Sequence, residues 1–299
     1  MAITNYGELK TAVDLWGKWG GIHDSRIVEW IAMSEDWIGR NMRVKAMEAS
    51  VDVLLKATTV IAASGLGGTA NAITITNDTT LSSNSLADTY KFTAEATNTS
   101  TVTVNVDGIG AVALNKDDGT IGLEANDIIS GQNYYIYYDG TRFRLLPHPG
   151  SAPLPSRWEA ARRLYIPGDP VKRLRYSTPI NFYSKYISSN TAKPTGFTIE
   201  GFYLVFGETS DSTYAVKTEY YRKPASFSGD SDTNWFLSNA RGLYLYGGLV
   251  EGYAYLEDQA NLTKYAAMRD AIAADIQKAD EADRFSGDAL IIESDVPVD

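Results

Sequence analysis

The sequence predicts an α+β fold: a helical bundle with small antiparallel sheets, interrupted by an inserted all-β domain of sandwich-like build. Three observations carry this. Apolar residues recur at helical spacing near both ends of the chain, at about residues 6–42 and 243–285. From about Thr58 to His148 the texture changes to Ser, Thr, Asn and Gly with short alternating runs and Asp-Gly turns. The joints read as linkers, Ser64-Gly65-Leu66-Gly67-Gly68 opening the segment and Pro147, Pro149, Pro153 and Pro155 closing it. The expected division is a host over residues 1–57 and 149–287, a guest over 58–148 and a C-terminal arm over 288–299.

Helix one runs from about Tyr6 to Trp19. Asn5 is placed to cap it with Glu8 three residues on, Leu9, Ala12, Val13 and Trp16 form its stripe, and Gly20-Gly21 stop it. Asp24 then caps a second helix with the stripe Ile27, Trp30, Ile31, Ser34, Ile38 and Met42, widened by Met33 and Trp37. Ala49, Val51, Val53 and Leu55 alternate as a strand. Within the guest, Ile73/Ile75, Tyr90/Phe92 and Val102/Val104/Val106 are period-two runs, and Asp107-Gly108 sits in hairpin position. Tyr134–Tyr138, Asp139-Gly140 and Thr141–Leu146 make the clearest hairpin. These short strands suit a compact sandwich or barrel.

The host resumes at Leu154-Pro155-Ser156-Arg157-Trp158. A strand near Ala161–Ile166 turns at Pro167-Gly168-Asp169 and returns through Val171–Tyr176, and Thr178-Pro179 opens a short helix with Phe182, Tyr183 and Tyr186. Phe197–Ile199, Phe202–Phe206 and Tyr214–Tyr221 are expected as a meander. Two further helices carry the stripes Leu243, Tyr246, Leu249, Val250, Tyr253 and Tyr265, Met268, Ile272, Ile276, the second running to about Phe285.

The chain has 299 residues, of which 44% are hydrophobic and 21% charged, enough for two cores. It begins without a basic, apolar leader and has no run long enough to cross a bilayer, so a soluble protein made in a cytoplasm is expected. With no cysteine, disulfides, thiol catalysis and thiolate metal sites are excluded. The net charge of -10 is uneven: residues 257–299 hold eleven acids and four bases, residues 58–148 nine and four, and the remainder 17 and 19. Such a surface does not suit a DNA-binding protein, although it could line a passage to which DNA should not stick.

No catalytic, cofactor or metal constellation is legible. His23 and His148, the only two histidines, lie on different segments without metal-ligand spacing, and the glycines of residues 65–68 lack the strand, helix and Gly-Lys-Ser/Thr ending of a phosphate loop. Asn-x-Ser/Thr triplets at Asn77, Asn98 and Asn261 read as loop composition. The tryptophan stripe is expected in the core or at a subunit contact. Lys and Arg cluster at Arg40/Arg43/Lys45, Arg157/Arg162/Arg163 and Lys172/Arg173/Arg175, where they would meet acids across subunits or a nucleic-acid backbone, the first being favoured. Subunit contacts are thus expected at Trp30, Trp37, Arg40, Arg43, Arg162 and Arg163. The apolar triplet Leu290, Ile291 and Ile292 has no local partner and either frays or docks on another chain.

With the guest excised, the host resembles the head-to-tail adaptors of short-tailed bacteriophages. The resemblance rests on Tyr6-Gly7-Glu8-Leu9, Trp30-Ile31 through Arg40-Asn41-Met42-Arg43-Val44-Lys45-Ala46-Met47-Glu48, the Leu154–Trp158 segment and Tyr220-Tyr221-Arg222-Lys223-Pro224. It continues with Asn234-Trp235-Phe236-Leu237, Leu243-Tyr244-Leu245-Tyr246-Gly247-Gly248-Leu249 and Asp283-Arg284-Phe285-Ser286-Gly287, in order over about two hundred residues. The guest departs from the family's pattern. Its Ala70–Thr74, Asn105–Gly110 and Tyr138–Phe143 segments are similar to small β-domains of phage fibre and tail proteins. The resemblance implies a structural, non-enzymatic ring, usually of twelve copies, at the virion neck between the portal protein and the tail nozzle protein, with DNA passing through the lumen. It implies a bundle that forms the wall and a C-terminal arm, with Leu290, Ile291 and Ile292, that reaches the portal. The competing reading is a tail-associated receptor- or carbohydrate-binding protein acting through the guest; a cell-wall hydrolase is disfavoured by the missing acid/base pair.

Overall fold

The computed structural model describes residues 3–55, 60–63, 65–77, 81–84, 89–116, 119–147, 150–168, 170–186 and 191–284. The fold is α+β, as expected. Helices α1 (Tyr6–Gly17) and α2 (Asp24–Asn41) and a 3-10 turn lead into β1 (Glu48–Leu55). There follow β2 (Val60–Ala62), β3 (Gly65–Thr69), β4 (Ala72–Thr76), β5 (Thr89–Thr93), β6 (Val102–Val106), β7 (Ala111–Lys116), β8 (Ile121–Gly122), β9 (Asn133–Tyr138) and β10 (Phe143–Leu146). Next come β11 (Ser151–Pro153), β12 (Trp158–Ile166), β13 (Lys172–Arg173), β14 (Arg175–Tyr176), α3 (Pro179–Lys185), β15 (Gly196–Glu200), β16 (Tyr203–Phe206) and β17 (Tyr214–Arg222). Helices α4 (Trp235–Asn239), α5 (Arg241–Tyr255) and α6 (Gln259–Arg284) complete the described chain. Contacts divide the molecule into two compact units, one of residues up to Ala49, Arg157–Ala160 and residues from Tyr220, the other of Ser50–Ser156 and Ala161–Glu219. This division does not coincide with the joints read from the sequence, because the guest segment and residues 161–219 fall in the same unit.

The first unit is the bundle. Asn5 Oδ1 accepts the Glu8 amide at 2.9 Å, while the Glu8 carboxylate turns back to the amide and hydroxyl of Thr4 at 2.6 and 2.7 Å, one residue further than a capping box requires. Helix α1 stops at Gly17, earlier than the glycine pair suggests, because Lys18 adopts the left-handed conformation with φ 58°. The cap position of α2 is His23; Asp24, expected there, lies in the first turn. The α2 stripe Ile27, Trp30, Ile31, Ser34, Ile38 and Met42 is buried throughout, whereas Trp16 of α1 and Met33 of α2 are about half exposed. Helix α5 touches α1, α2, α4 and α6. It approaches closely because it carries Gly247, Gly248 and Gly252 on its inner faces: a Cβ at Gly252 would lie 2.3 Å from the Trp19 indole. Of the expected α6 stripe only Tyr265 is fully buried; Ile272 and Ile276 pack at the edge and Met268 is exposed. Arg284, at the end of α6, binds Glu48 at 2.6 Å and Asp280 at 2.7 Å.

In the second unit, residues 60–146 form one continuous nine-stranded sheet in the order β2-β5-β9-β10-β7-β6-β4-β3, with β8 paired to β7. It nearly closes on itself like a barrel. Ile75, Tyr90, Phe92, Val104, Leu114, Ile136 and Phe143 fill its interior. Asp107 and Gly108 make the expected tight turn, with φ 50° and 76°. The Asp139 turn is longer than the sequence suggested: the second strand starts at Phe143, opposite Tyr138, and Asp139 spends its carboxylate on the amides of Thr141 and Arg142. Strand β9 packs against a core cluster on each face. Ile136 points into the barrel, while Tyr135 and Tyr137 pack outside it on a second cluster of Leu146, Phe182, Tyr186, Tyr203 and Val205.

Two four-stranded sheets complete the structure, β1-β17-β12-β13 and β11-β16-β15-β14. They correct two expectations. Strands β15 and β16 pair as a hairpin, but β17 leaves that meander to lie between β1 and β12. The return strand after Pro167 is split: Lys172 and Arg173 pair with Ile166 and Tyr165, then Arg175 and Tyr176 join β15 in the other sheet. Leu174, buried between the two pieces, marks the crossing and donates its amide to Leu164 O at 2.9 Å.

Candidate functional site

The residues expected at subunit contacts fall into three settings. Trp30 is 4% exposed and packs inside its own bundle, 5.0 Å from the Trp19 ring. Trp37 is half-buried beneath the Arg269 guanidinium, 4.0 Å from the ring centroid. Arg40 is exposed and bonds the Asp36 carbonyl of its own helix, while Arg43 donates to Glu159 and to the carbonyls of Gly39 and Met42. Arg163 holds Glu219 through two parallel bonds of 2.9 and 2.8 Å, and Arg162 approaches the same carboxylate at 3.7 Å. That bonding to Arg163, opposed only by partial burial, holds the Glu219 carboxyl below its ordinary range. Arg43, Arg162 and Arg163 therefore meet acids of their own chain. Leu290, Ile291 and Ile292 lie outside the described residues.

Among the described residues, no group of three or more His, Cys, Asp or Glu side chains is placed to hold a metal, and no helix is long and apolar enough to cross a membrane. His23 is packed edge-on against Trp19 and Tyr255, with ring centroids 5.9 and 6.0 Å away. In Glu35 burial outweighs the Ser226 hydroxyl and the Phe227 amide and leaves the carboxyl above its ordinary range, and the group anchors the segment after Pro224 to α2. A cleft of about 420 Å³ opens beside α1 and α2, but its charges are already matched in part, Lys10 binding Asp230 at 2.6 Å. A cleft of about 70 Å³ lies between β3 and the end of β5, well below the ~300 Å³ at which small-molecule sites begin.

One basic cluster differs from the others. Lys172, Arg173 and Arg175 are exposed, and among the described residues none of the three side chains has a hydrogen bond or ion pair. They occupy β13 and β14, each the last strand of its sheet. Val171, Tyr176 and Ile180, interleaved with them in sequence, are 55%, 57% and 84% exposed. The strip from 171 to 180 contains no acid. Sequence reading found the cations but treated the apolar residues as strand and helix faces, since local periodicity does not reveal that both strands are edges.

Residues 148–291 match the family model of the SU10 adaptor protein. The match supports a phage adaptor with a structural role in the virion. It covers slightly less than half of the chain, taking in β11–β17 with α3, and α4–α6. Helices α1 and α2, strand β1 and the whole of the nine-stranded sheet lie outside it. A search among curated proteins found no match.

Proposed function

We propose that this chain is a structural virion protein forming a ring-shaped head-to-tail adaptor, which joins the portal to the tail nozzle and lets DNA pass. The observation that carries the reading is the SU10 adaptor match over residues 148–291, which includes the exposed basic strip and the whole of α5 and α6. The glycine-lined packing of α5 supports it, since a closely packed bundle makes a stiff wall element. The role needs no catalytic group: its work is done by surfaces that bind neighbours and by a net charge of -10 that keeps DNA from adhering to the passage. The nine-stranded sheet is a peripheral elaboration of this adaptor. Electron microscopy of assembled particles labelled on this chain tests the proposal. A ring of density at the neck, in equal copies around the axis, is expected; label at fibre tips or tail periphery would replace it with a receptor-binding role.

A further inference from the structure

We infer that the exposed strip from Val171 to Ile180 is the docking surface for the C-terminal segment of a second copy of this chain. The inference rests on the reading that copies meet in a ring. Three cations side by side, with no partner among the described residues of a protein of net charge -10, repel one another unless an anionic partner arrives. The exposed Val171, Tyr176 and Ile180 make that partner a protein, because a surface that only touched a phosphate backbone would gain nothing from large apolar groups beside its charges.

The backbone points the same way. Arg175 and Ser177 donate their amides to Thr195 and Phe197, at 3.2 and 3.0 Å, so in this parallel pairing the Tyr176 amide faces the open edge of the sheet. An open edge accepts an extended segment as an added strand. Residues 288–299 have the matching chemistry: Leu290, Ile291 and Ile292 are apolar and rich in β-branching, Asp288, Glu293, Asp295 and Asp299 flank them, and no base is present. Acids would meet the cations while the apolar triplet covers Tyr176 and Ile180. This gives the segment a partner on a neighbouring copy in place of the portal groove expected from the sequence.

The absence of native cysteine makes the test direct. Two full-length populations of different tag size, one carrying Arg175→Cys and the other Ile291→Cys, are mixed and mildly oxidised, with self-association followed in parallel by sedimentation. A disulfide joining the two sizes is expected. Its yield should fall by about tenfold or more when the first population also carries Lys172→Glu and Arg173→Glu, and recover when the second carries Asp288→Lys and Glu293→Lys. Association without this cross-link overturns the inference and leaves the ring reading standing; no association at any concentration sinks the ring reading as well. Closure of the disulfide within single chains carrying both cysteines at high dilution overturns the second-copy claim. So does a strip whose charge reversal abolishes binding of a short DNA duplex but leaves the cross-link unchanged.

Discussion

Asn98, whose triplet with Thr99 and Ser100 reads as loop composition, is wholly buried in the loop before β6. Its amide group donates to the carbonyls of Ser100 and Glu124 at 2.8 and 2.7 Å, and its Oδ1 accepts the Ile128 amide at 2.7 Å. Three backbone groups from two loops thus depend on one side chain. Asn98→Ala should lower stability by about 3 kcal/mol, a loss that denaturant unfolding would read as a lower midpoint. Asp139 gives a prediction in pH. Burial opposes its ionisation, but Arg144 Nε, the Thr141 and Arg142 amides and the Thr141 hydroxyl outweigh burial and bring its pKa from 3.8 to about 2. Because the folded value lies below the unfolded one, the stabilisation is complete above about pH 4 and disappears as pH falls toward 2. Asp139→Asn should therefore cost about 2 kcal/mol at pH 7 and close to nothing at pH 2, measured by denaturant titration at both values. Neither residue was legible as a hub, since two of the three groups Asn98 serves are 26 and 30 residues distant and those of Asp139 are part of an unforeseen longer turn.

Among the elements, α5 shows how packing overrides propensity. In an isolated helix Gly252→Ala would gain about 1 kcal/mol. Here the new methyl would meet the Trp19 ring at 2.3 Å and Trp30 at 3.1 Å, and Trp19 has no room to retreat, being held against Trp30 and Tyr253. Overpacking of this kind costs about 1–3 kcal/mol beyond the propensity gain, so the variant should melt lower than the parent by calorimetry. An equal or higher melting temperature would mean that α5 can slide away from α1 and α2. The stripe of α2 was legible residue by residue because its six inward positions follow the helix period and need no knowledge of partners. Strand β17 was legible as a strand but not in its place, since alternation fixes which side chains turn inward and says nothing about which strand lies alongside. The same limit applies to partners within the chain: Trp30 carries the same periodic signal whether its partner is α5 or another chain, and Glu219 lies 56 residues from the Arg163 it holds.

At the scale of the molecule, the question is how far the nine-stranded sheet can be removed without loss to the rest. The sequence suggests a self-contained guest, and the sheet does have its own core. Strand β9, however, reads Asn133-Tyr134-Tyr135-Ile136-Tyr137-Tyr138, a nearly unbroken aromatic run of the sort expected where both faces are covered. Its outward Tyr135 and Tyr137, with Leu146 of β10, pack on Phe182, Tyr186, Tyr203 and Val205, and burial pushes the Tyr137 hydroxyl up to about 12. A chain lacking residues 58–148 loses Leu146 and both tyrosines from this cluster, leaving Phe182 and Val205 open to water. By the measure of large-to-small core changes that loss is worth about 3–6 kcal/mol, concentrated on α3 and β16. The bundle core of Leu9, Val13, Ile31, Tyr244 and Leu249 shares no residue with the cluster and should be spared. Hydrogen exchange should accordingly show amide protection retained in α1, α2 and α5 and lost around Phe182 and Tyr203–Phe206. Unchanged protection at Val205 would show that α3 and its sheet stand without the guest. Collapse of protection in α5 would show that the two compact units fold as one.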